Sequence, residues 1–410
     1  MHDSRHRMLM LRQVLLLALV PIISSLSTMI LVPIAVHAVG PAGWFSVASG
    51  QALGALANII VIWGWNAAQI SIISGLDFRR QIQAYHDSVL PRCVVLICII
   101  PLIICVCCLL PGVDSLISAL NACGAAIGGL TANWFYIASD RAKTYVICES
   151  IPMSIVQLSA AALLFSTGNL VLCSVLLFLA PTVSILISYL YIRKLSQIQN
   201  IPWLGGSLKQ GATELRIRLP IMGASLLSTA LQNVLTIGAS VLMTNLTGAI
   251  VALADKLGKW TMTALTPILQ VVSARAGKDL ERTRNGVFVF YIIIGVFSLA
   301  SVNIGWFALP WVAKLISLGE VAISPLIGAF IGGIVSLSVA EQLLGKTYLV
   351  AFRRLPMAAL SAGIALTITV FATIPLVHSF QANGAMLAVI LGQIVDVFIL
   401  VLVIAHSQRQ

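Results

Sequence analysis

From Leu170 to Ile192 the chain reads LVLCSVLLFLAPTVSILISYLYI, and Arg193-Lys194 follow directly. Those 23 residues carry no charge. Wound as a helix they reach about 34 Å, enough to cross a hydrocarbon core of about 30 Å. The run Val14–Val39 has the same character. In lipid every backbone N–H and C=O has to be paired within the protein, which leaves helices or a closed barrel. Barrel strands alternate apolar and polar residues over about ten positions, whereas these runs are continuous. The stretch reads as a membrane-spanning helix, and the rest of the chain repeats it.

Only 9% of the 410 residues are charged while 59% are apolar, against about 25% charged in a soluble globular chain. So few charges cannot cover a soluble surface. Twelve apolar windows emerge: 14–38, 43–65, 91–111, 113–137, 145–167, 169–192, 219–243, 247–271, 286–309, 321–344, 356–377 and 384–405. Gly40-Pro41, Pro111-Gly112, Thr167-Gly168-Asn169 and Asn383-Gly384 supply turn chemistry between them. The window 247–271 contains three charges, Asp255, Lys256 and Lys259.

With the N-terminus in the cytoplasm, 21 of the 24 Lys and Arg fall on the cytoplasmic side, from Arg5 to Arg409. Lys314 falls in an external loop, and Lys256 and Lys259 lie within a span. This asymmetry is the positive-inside pattern, and an even number of spans returns both ends to one side. The expected fold is an all-α membrane protein of about 12 transmembrane helices in two six-helix bundles, both termini cytoplasmic. A multi-pass protein of the bacterial inner (cell) membrane fits this plan. The formal charge of +11 faces anionic lipid headgroups, and no nucleic-acid partner is expected. The basic N-terminus before an apolar run imitates a secretory signal, but the run exceeds the 7–15 residues of a signal core. It reads as a retained first span.

The polar connection 193–218 divides the chain into an N-terminal six-helix bundle (1–197), a cytoplasmic linker (198–215) and a C-terminal six-helix bundle (216–410). Arg12 and Pro21 in the first half are echoed by Arg216, Arg218 and Pro220 in the second, a pattern of the kind that internal repeats in transporters give. All eight cysteines lie in the first half, mostly inside apolar runs. Cys105 and Cys108 have CxxC spacing but no second pair to complete a metal site, and His2 and His6 have no third ligand nearby. Small hydrophobes is the plain reading of the cysteines; neither metal nor cofactor is expected. Hydrolase and nucleotide-binding motifs are missing, so active transport would draw on an ion gradient or on substrate supply.

Ionisable residues inside a membrane are costly and mark candidate sites. The strongest group is Ala254-Asp255-Lys256-Leu257-Gly258-Lys259-Trp260. Asp255 and Lys259 stand at i,i+4 on one helix face, and Lys256 and Lys259 at i,i+3. A net cation in a cavity suits a phosphate or pyrophosphate. The plainer alternative is a satisfied packing pair with Lys256 snorkelling to the interface. Asp396 lies mid-span, with Gln393 at i−3; it is a candidate either to pair with one of those lysines or to couple transport to H⁺ or Na⁺. The alternative there is a buried carboxyl bonded to a neighbouring helix. Asp255 and Asp396 are thus the candidate ion-coupling residues. Glu149 and Glu341 sit near cytoplasmic ends, where Arg141, Lys143 or Lys346 are the expected partners. Asn66, Asn133, Gln157, Gln232, Asn233 and Gln270 are candidates to line a hydrophilic cavity, or to act as glue between helices. Pro152, Pro181, Pro267 and Pro325 inside spans would loosen them.

Three stretches carry a family resemblance. Val39-Gly40-Pro41-Ala42-Gly43-Trp44-Phe45-Ser46, followed by Gly50-Gln51-Ala52-Leu53-Gly54 and Trp63-Gly64-Trp65-Asn66, is similar to the loop after span one and to the second span of polysaccharide (O-antigen/exopolysaccharide) flippases. These belong to the multidrug/oligosaccharidyl-lipid/polysaccharide exporter superfamily. Asn133-Trp134-Phe135-Tyr136-Ile137-Ala138 with Arg141 resembles that family's span-four end, and Ala254-Asp255-Lys256-Leu257 through Thr266-Pro267-Ile268-Leu269-Gln270 resembles its span eight. The resemblance implies two six-helix bundles around a laterally open cavity. It implies flipping of a polyprenyl-pyrophosphate-linked oligosaccharide for surface polysaccharide synthesis, coupled to an ion. Lys256 and Lys259 would then take the pyrophosphate, and Asn66, Asn133, Gln232, Asn233 and Gln270 the sugars. A polysaccharide polymerase and glycosyltransferases are the implied partners, beside the lipid-linked oligosaccharide and membrane lipids. A small-molecule exporter of multidrug type on the same fold is the alternative; a cationic drug would favour a more acidic cavity. A membrane enzyme would need a larger external loop than 310–320, and a passive scaffold would not need buried charge.

Overall fold

The structure, a computed structural model, describes residues 2–66, 70, 73–201, 208–279, 284–344 and 355–407. Side chains are described at 23–66, 70, 73–201, 211–266, 269, 295–344 and 357–405. In chain order the helices are α1 (His2–Ile62), α2 (Phe78–Leu109), α3 (Ser115–Ile127), α4 (Asn133–Ala138), α5 (Ala142–Tyr145), α6 (Ile151–Thr167) and α7 (Leu170–Ile198). Then follow α8 (Leu208–Leu242), α9 (Asn245–Asp279), α10 (Arg284–Ile316), α11 (Pro325–Glu341) and α12 (Leu355–Ser407). Among the described residues nine helices are long and apolar enough to cross a membrane. Two of these, Ile23–Ile62 and Met357–Ala405, have 40 and 49 residues, or about 60 and 73 Å, twice a hydrocarbon core. Each is two spans. Splitting them and adding α9, whose charges lower its hydropathy, reproduces the twelve windows. The protein is an all-α, multi-pass membrane protein.

The two long helices break for different reasons. α1 breaks at Gly40, with φ 74° and ψ 174°, a conformation open to glycine and followed by a proline that disfavours helix before it. α12 breaks at Gln381, with φ 51° and ψ −127°, ahead of the expected Asn383-Gly384 turn. A Cβ on Gly384 would run into the carbonyl of Leu376. Residues eight apart on a straight helix are about 12 Å apart, so the chain doubles back here. Gly384 serves close approach rather than the turn itself. Pro325, expected within a span, stands at the start of α11, where Ser324 Oγ accepts from the Ile327 N–H at 3.2 Å. A missing N–H costs nothing there.

Contacts divide the chain into two compact units. One comprises Met1–Val39, Gly50–Leu110 and Asp114–Leu226; the other comprises Gly40–Ser49, Pro111–Val113 and Leu227–Gln410. Trp63 Nε1 donates to the Leu215 carbonyl at 2.7 Å, tying the start of α8 to the first unit. The Phe45 ring lies where a Cβ on Gly248 would fall, tying Gly40–Ser49 to the second. The helix α8 begins at Leu208, inside the expected linker.

Small residues let the helices meet, as expected where lipid offers no hydrophobic drive between them. In the first unit a Cβ on Gly50 would meet the Ser118 carbonyl, and one on Gly54 the Ala122 carbonyl at 2.6 Å. In the second unit Gly305 and Gly328 oppose each other, and Gly332 faces the Ser301 carbonyl. Half of the membrane-crossing window at Pro325–Leu344 is buried, against 11% at Gly295–Ile316, so α11 is central and α10 peripheral. Large side chains such as Phe165, Phe307 and Phe371 are more than 70% exposed and face lipid.

Span four is discontinuous, which the sequence did not reveal. It breaks between α3 and α4 through a 3-10 turn at Gly128–Leu130. Arg92 donates from Nη1 to the Gly129 and Thr131 carbonyls, both at 3.1 Å, from Nε to the Ser88 carbonyl at 3.2 Å, and from Nη2 to Ser88 Oγ at 2.9 Å. On the other side of the break the Ala132 N–H donates to Glu149 Oε1 at 2.6 Å, and the Ser188 hydroxyl does so at 3.1 Å. A cation on the carbonyl end and an anion on the amide end match the polarity of the two half-helices. Glu149 therefore binds backbone and Ser188 rather than Arg141. Arg141 instead donates to the Tyr191 hydroxyl at 2.9 Å and lies over the Phe78 ring.

Candidate substrate site

The charged motif of span eight lies on α9, and α8 supplies its neighbours. Lys259 Nζ is 2.7 Å from Asp255 Oδ2, the i,i+4 pair expected from helical spacing. The Thr236 hydroxyl donates to the same oxygen at 2.6 Å, and Lys259 Nζ also donates to Asn233 Oδ1 at 2.9 Å. Asn233 is aimed by its own Nδ2, which donates to the Thr229 carbonyl at 2.8 Å. The Asp255 side chain is 12% exposed and that of Lys259 is 37% exposed. An ammonium has three hydrogens; two are engaged, and the third has no acceptor among the described residues. Lys256 is half-buried beside this pair, so the three ionised groups sum to one net positive charge. On the adjoining face of α9, Gly258 admits α11: a Cβ there would lie 3.2 Å from Ile331 Cγ2.

The remaining candidates make no hydrogen bond to Asp255 or Lys259 among the described residues. Gln232, next to Asn233, is exposed and makes no hydrogen bond among the described residues. Adjacent helical positions point about 100° apart, so one faces α9 and the other does not. Asp396 is 1% exposed, with Ser361 beside it and no partner for Oδ1 among the described residues. No lysine pairs with it there. Gln393 Nε2 donates to Ser338 Oγ at 3.1 Å. Asn66 and Asn133 belong to the first unit. Asn66 Oδ1 is buried without a partner among the described residues, and Asn133 Oδ1 accepts from the Trp134 N–H at 2.7 Å. Gln157 receives the Ser27 hydroxyl, a bond between helices. The side chain of Gln270 lies outside the described residues, as does Lys346. Thr236 was missed by sequence reasoning, although its i,i+3 spacing from Asn233 was there to find it.

No family model matches the sequence, and no curated protein matches it either. Solved structures do. An inward-facing multidrug resistance MATE family transporter of the MOP superfamily is 14% identical, with 97% of this chain and 99% of that one aligned at a TM-score of 0.63. The eukaryotic MATE transporter AtDTX14 is 15% identical over 96% of both chains, at 0.58. The lipid II flippase MurJ, in an inward closed conformation, is 9% identical over 97% of this chain and 87% of its own, also at 0.58. The fold of this chain is thus the one shared by these multidrug transporters and this lipid flippase.

Proposed function

We propose that the chain is an ion-coupled transporter that flips a polyprenyl-pyrophosphate-linked oligosaccharide across a bacterial inner membrane, feeding a surface polysaccharide polymerase downstream of glycosyltransferases. Both termini lie in the cytoplasm in this reading. The observation that carries it is the cluster on α9. Lys259 is oriented by Asp255 and Asn233 yet keeps a donor unengaged among the described residues, and Lys256 adds a second cation in a span whose other residues, Asp255 aside, are uncharged. A pyrophosphate is the ligand this charge favours. Amides such as Asn233, with Asn66, Asn133, Gln232 and Gln270, would meet sugar hydroxyls. Asp255 and Asp396 would carry the coupling ion; Asp396, a buried carboxylate with an oxygen unpartnered among the described residues, is a place for a proton or small cation. Likeness to a lipid II flippase supports this reading; likeness to multidrug transporters supports a small-molecule exporter in equal measure, and the net positive charge of the motif on α9 favours the first.

The test is the double substitution Lys256→Gln with Lys259→Gln in the host cell. Normal protein levels with surface polymer lost, and lipid-linked intermediate accumulating in the cytoplasmic leaflet, are expected. Unchanged polymer would remove both lysines from the site.

A further inference from the structure

The first unit holds a second anion-friendly feature, on α2 and α7. Between α2 and α7, where α3 gives way to the Gly128–Leu130 turn, a cavity of about 290 Å³ opens on the side of the unit, with Tyr85 and Arg92 at its base and Val89, Ile185 and Leu186 on its walls. Arg92 is 1% exposed, and among the described residues no carboxylate lies within ion-pair distance of it. Four of its five N–H groups are used on Ser88, Gly129 and Thr131. One on Nη2 has no acceptor among the described residues. Tyr85, 2% exposed, also lines the cavity, and its hydroxyl makes no hydrogen bond among the described residues. A buried cation and a buried hydroxyl with capacity to spare are expensive in an apolar wall unless something polar reaches them.

The rims show what reaches them. Ile97 on α2 and Leu186 and Leu190 on α7 are 70%, 56% and 53% exposed, an apolar flank suited to acyl chains. We infer that this crevice binds the headgroup of an anionic membrane phospholipid, its phosphate accepting from Arg92 and Tyr85 while its chains lie along α2 and α7. A soluble anion offers the same phosphate but nothing for the flanks. A zwitterionic lipid brings a second cation to a cavity whose lining has no carboxylate.

Delipidated full-length protein, titrated with phosphatidylglycerol or phosphatidylcholine and examined by native mass spectrometry, tests this. One phosphatidylglycerol should bind at least fivefold more tightly than phosphatidylcholine. Tyr85→Phe should weaken that binding severalfold with melting unchanged, and Leu186→Phe, altering an exposed wall residue, should weaken it also. Lys256→Gln should leave it alone, which separates this crevice from the site on α9. Equal binding of the two lipids, or full binding by both crevice variants, would overturn the inference. Displacement of the lipid by millimolar inorganic phosphate would overturn it too, assigning the crevice to a soluble anion.

Discussion

Asp255→Asn separates an anion site from a cation site with a single atom exchange. The substitution keeps an acceptor for Thr236 and leaves Lys259 its bond to Asn233 at 2.9 Å. It changes the charge of Asp255, Lys256 and Lys259 together from one net positive to two. A phosphate oxygen held by Lys259 would lie about 5–6 Å from the Asp255 carboxylate, where two like charges repel by about 3 kcal/mol at an effective dielectric near 20. The Lys259 side chain is 37% exposed, so screening reduces this to roughly 1 kcal/mol, about fivefold in affinity. Titration calorimetry of the purified protein with a short-chain prenyl pyrophosphate should show about fivefold tighter binding in the variant. Ion-driven transport in vesicles should fall, because Asp255 is a proposed coupling group. A cationic dye should bind no better. Weaker pyrophosphate binding, or loss of a strong dye affinity present in the parent, would refute the anion-site argument and favour the exporter.

Other consequences are sharper on the fold. Gly305→Ala places a methyl against the Gly328 carbonyl and should cost about 1–3 kcal/mol, seen as a lower melting temperature in detergent; Gly295→Ala, where nothing lies within 4 Å, is the neutral comparison. Arg92→Gln removes donors from the Gly129 and Thr131 carbonyls at the break in span four and should destabilise by about 2–5 kcal/mol, in the same melting assay. Asp396→Asn should flatten the pH dependence of transport in reconstituted vesicles while substrate binding persists; an unchanged profile rejects a coupling role. A periplasm-active reporter should be silent when fused at Gln410 and active in the connection 317–324 between α10 and α11.

Much of the fold was legible because span length, charge placement and turn residues are local properties. Leu170–Ile192 announces a crossing by length alone, and the Asp255–Lys259 pair follows from 3.6 residues per turn, whatever surrounds it. By sequence, Arg92 and Glu149 are ordinary charges near cytoplasmic ends. They are buried because span four breaks, and a break exposes backbone carbonyls and amides that a sequence does not display.

The amino-acid order alone therefore determined that the chain is helical, membrane-embedded and about twelve spans long, and it put the cationic motif on one helix. Only the tertiary structure decided that Asn233 rather than Gln232 meets that motif, that Thr236 joins it, and that Gly384 serves contact instead of the turn. Helical periodicity fixes which residues share a face. In lipid, where apolar residues cover every face, hydropathy does not say which face meets a neighbour; close packing of small residues and interhelical hydrogen bonds do.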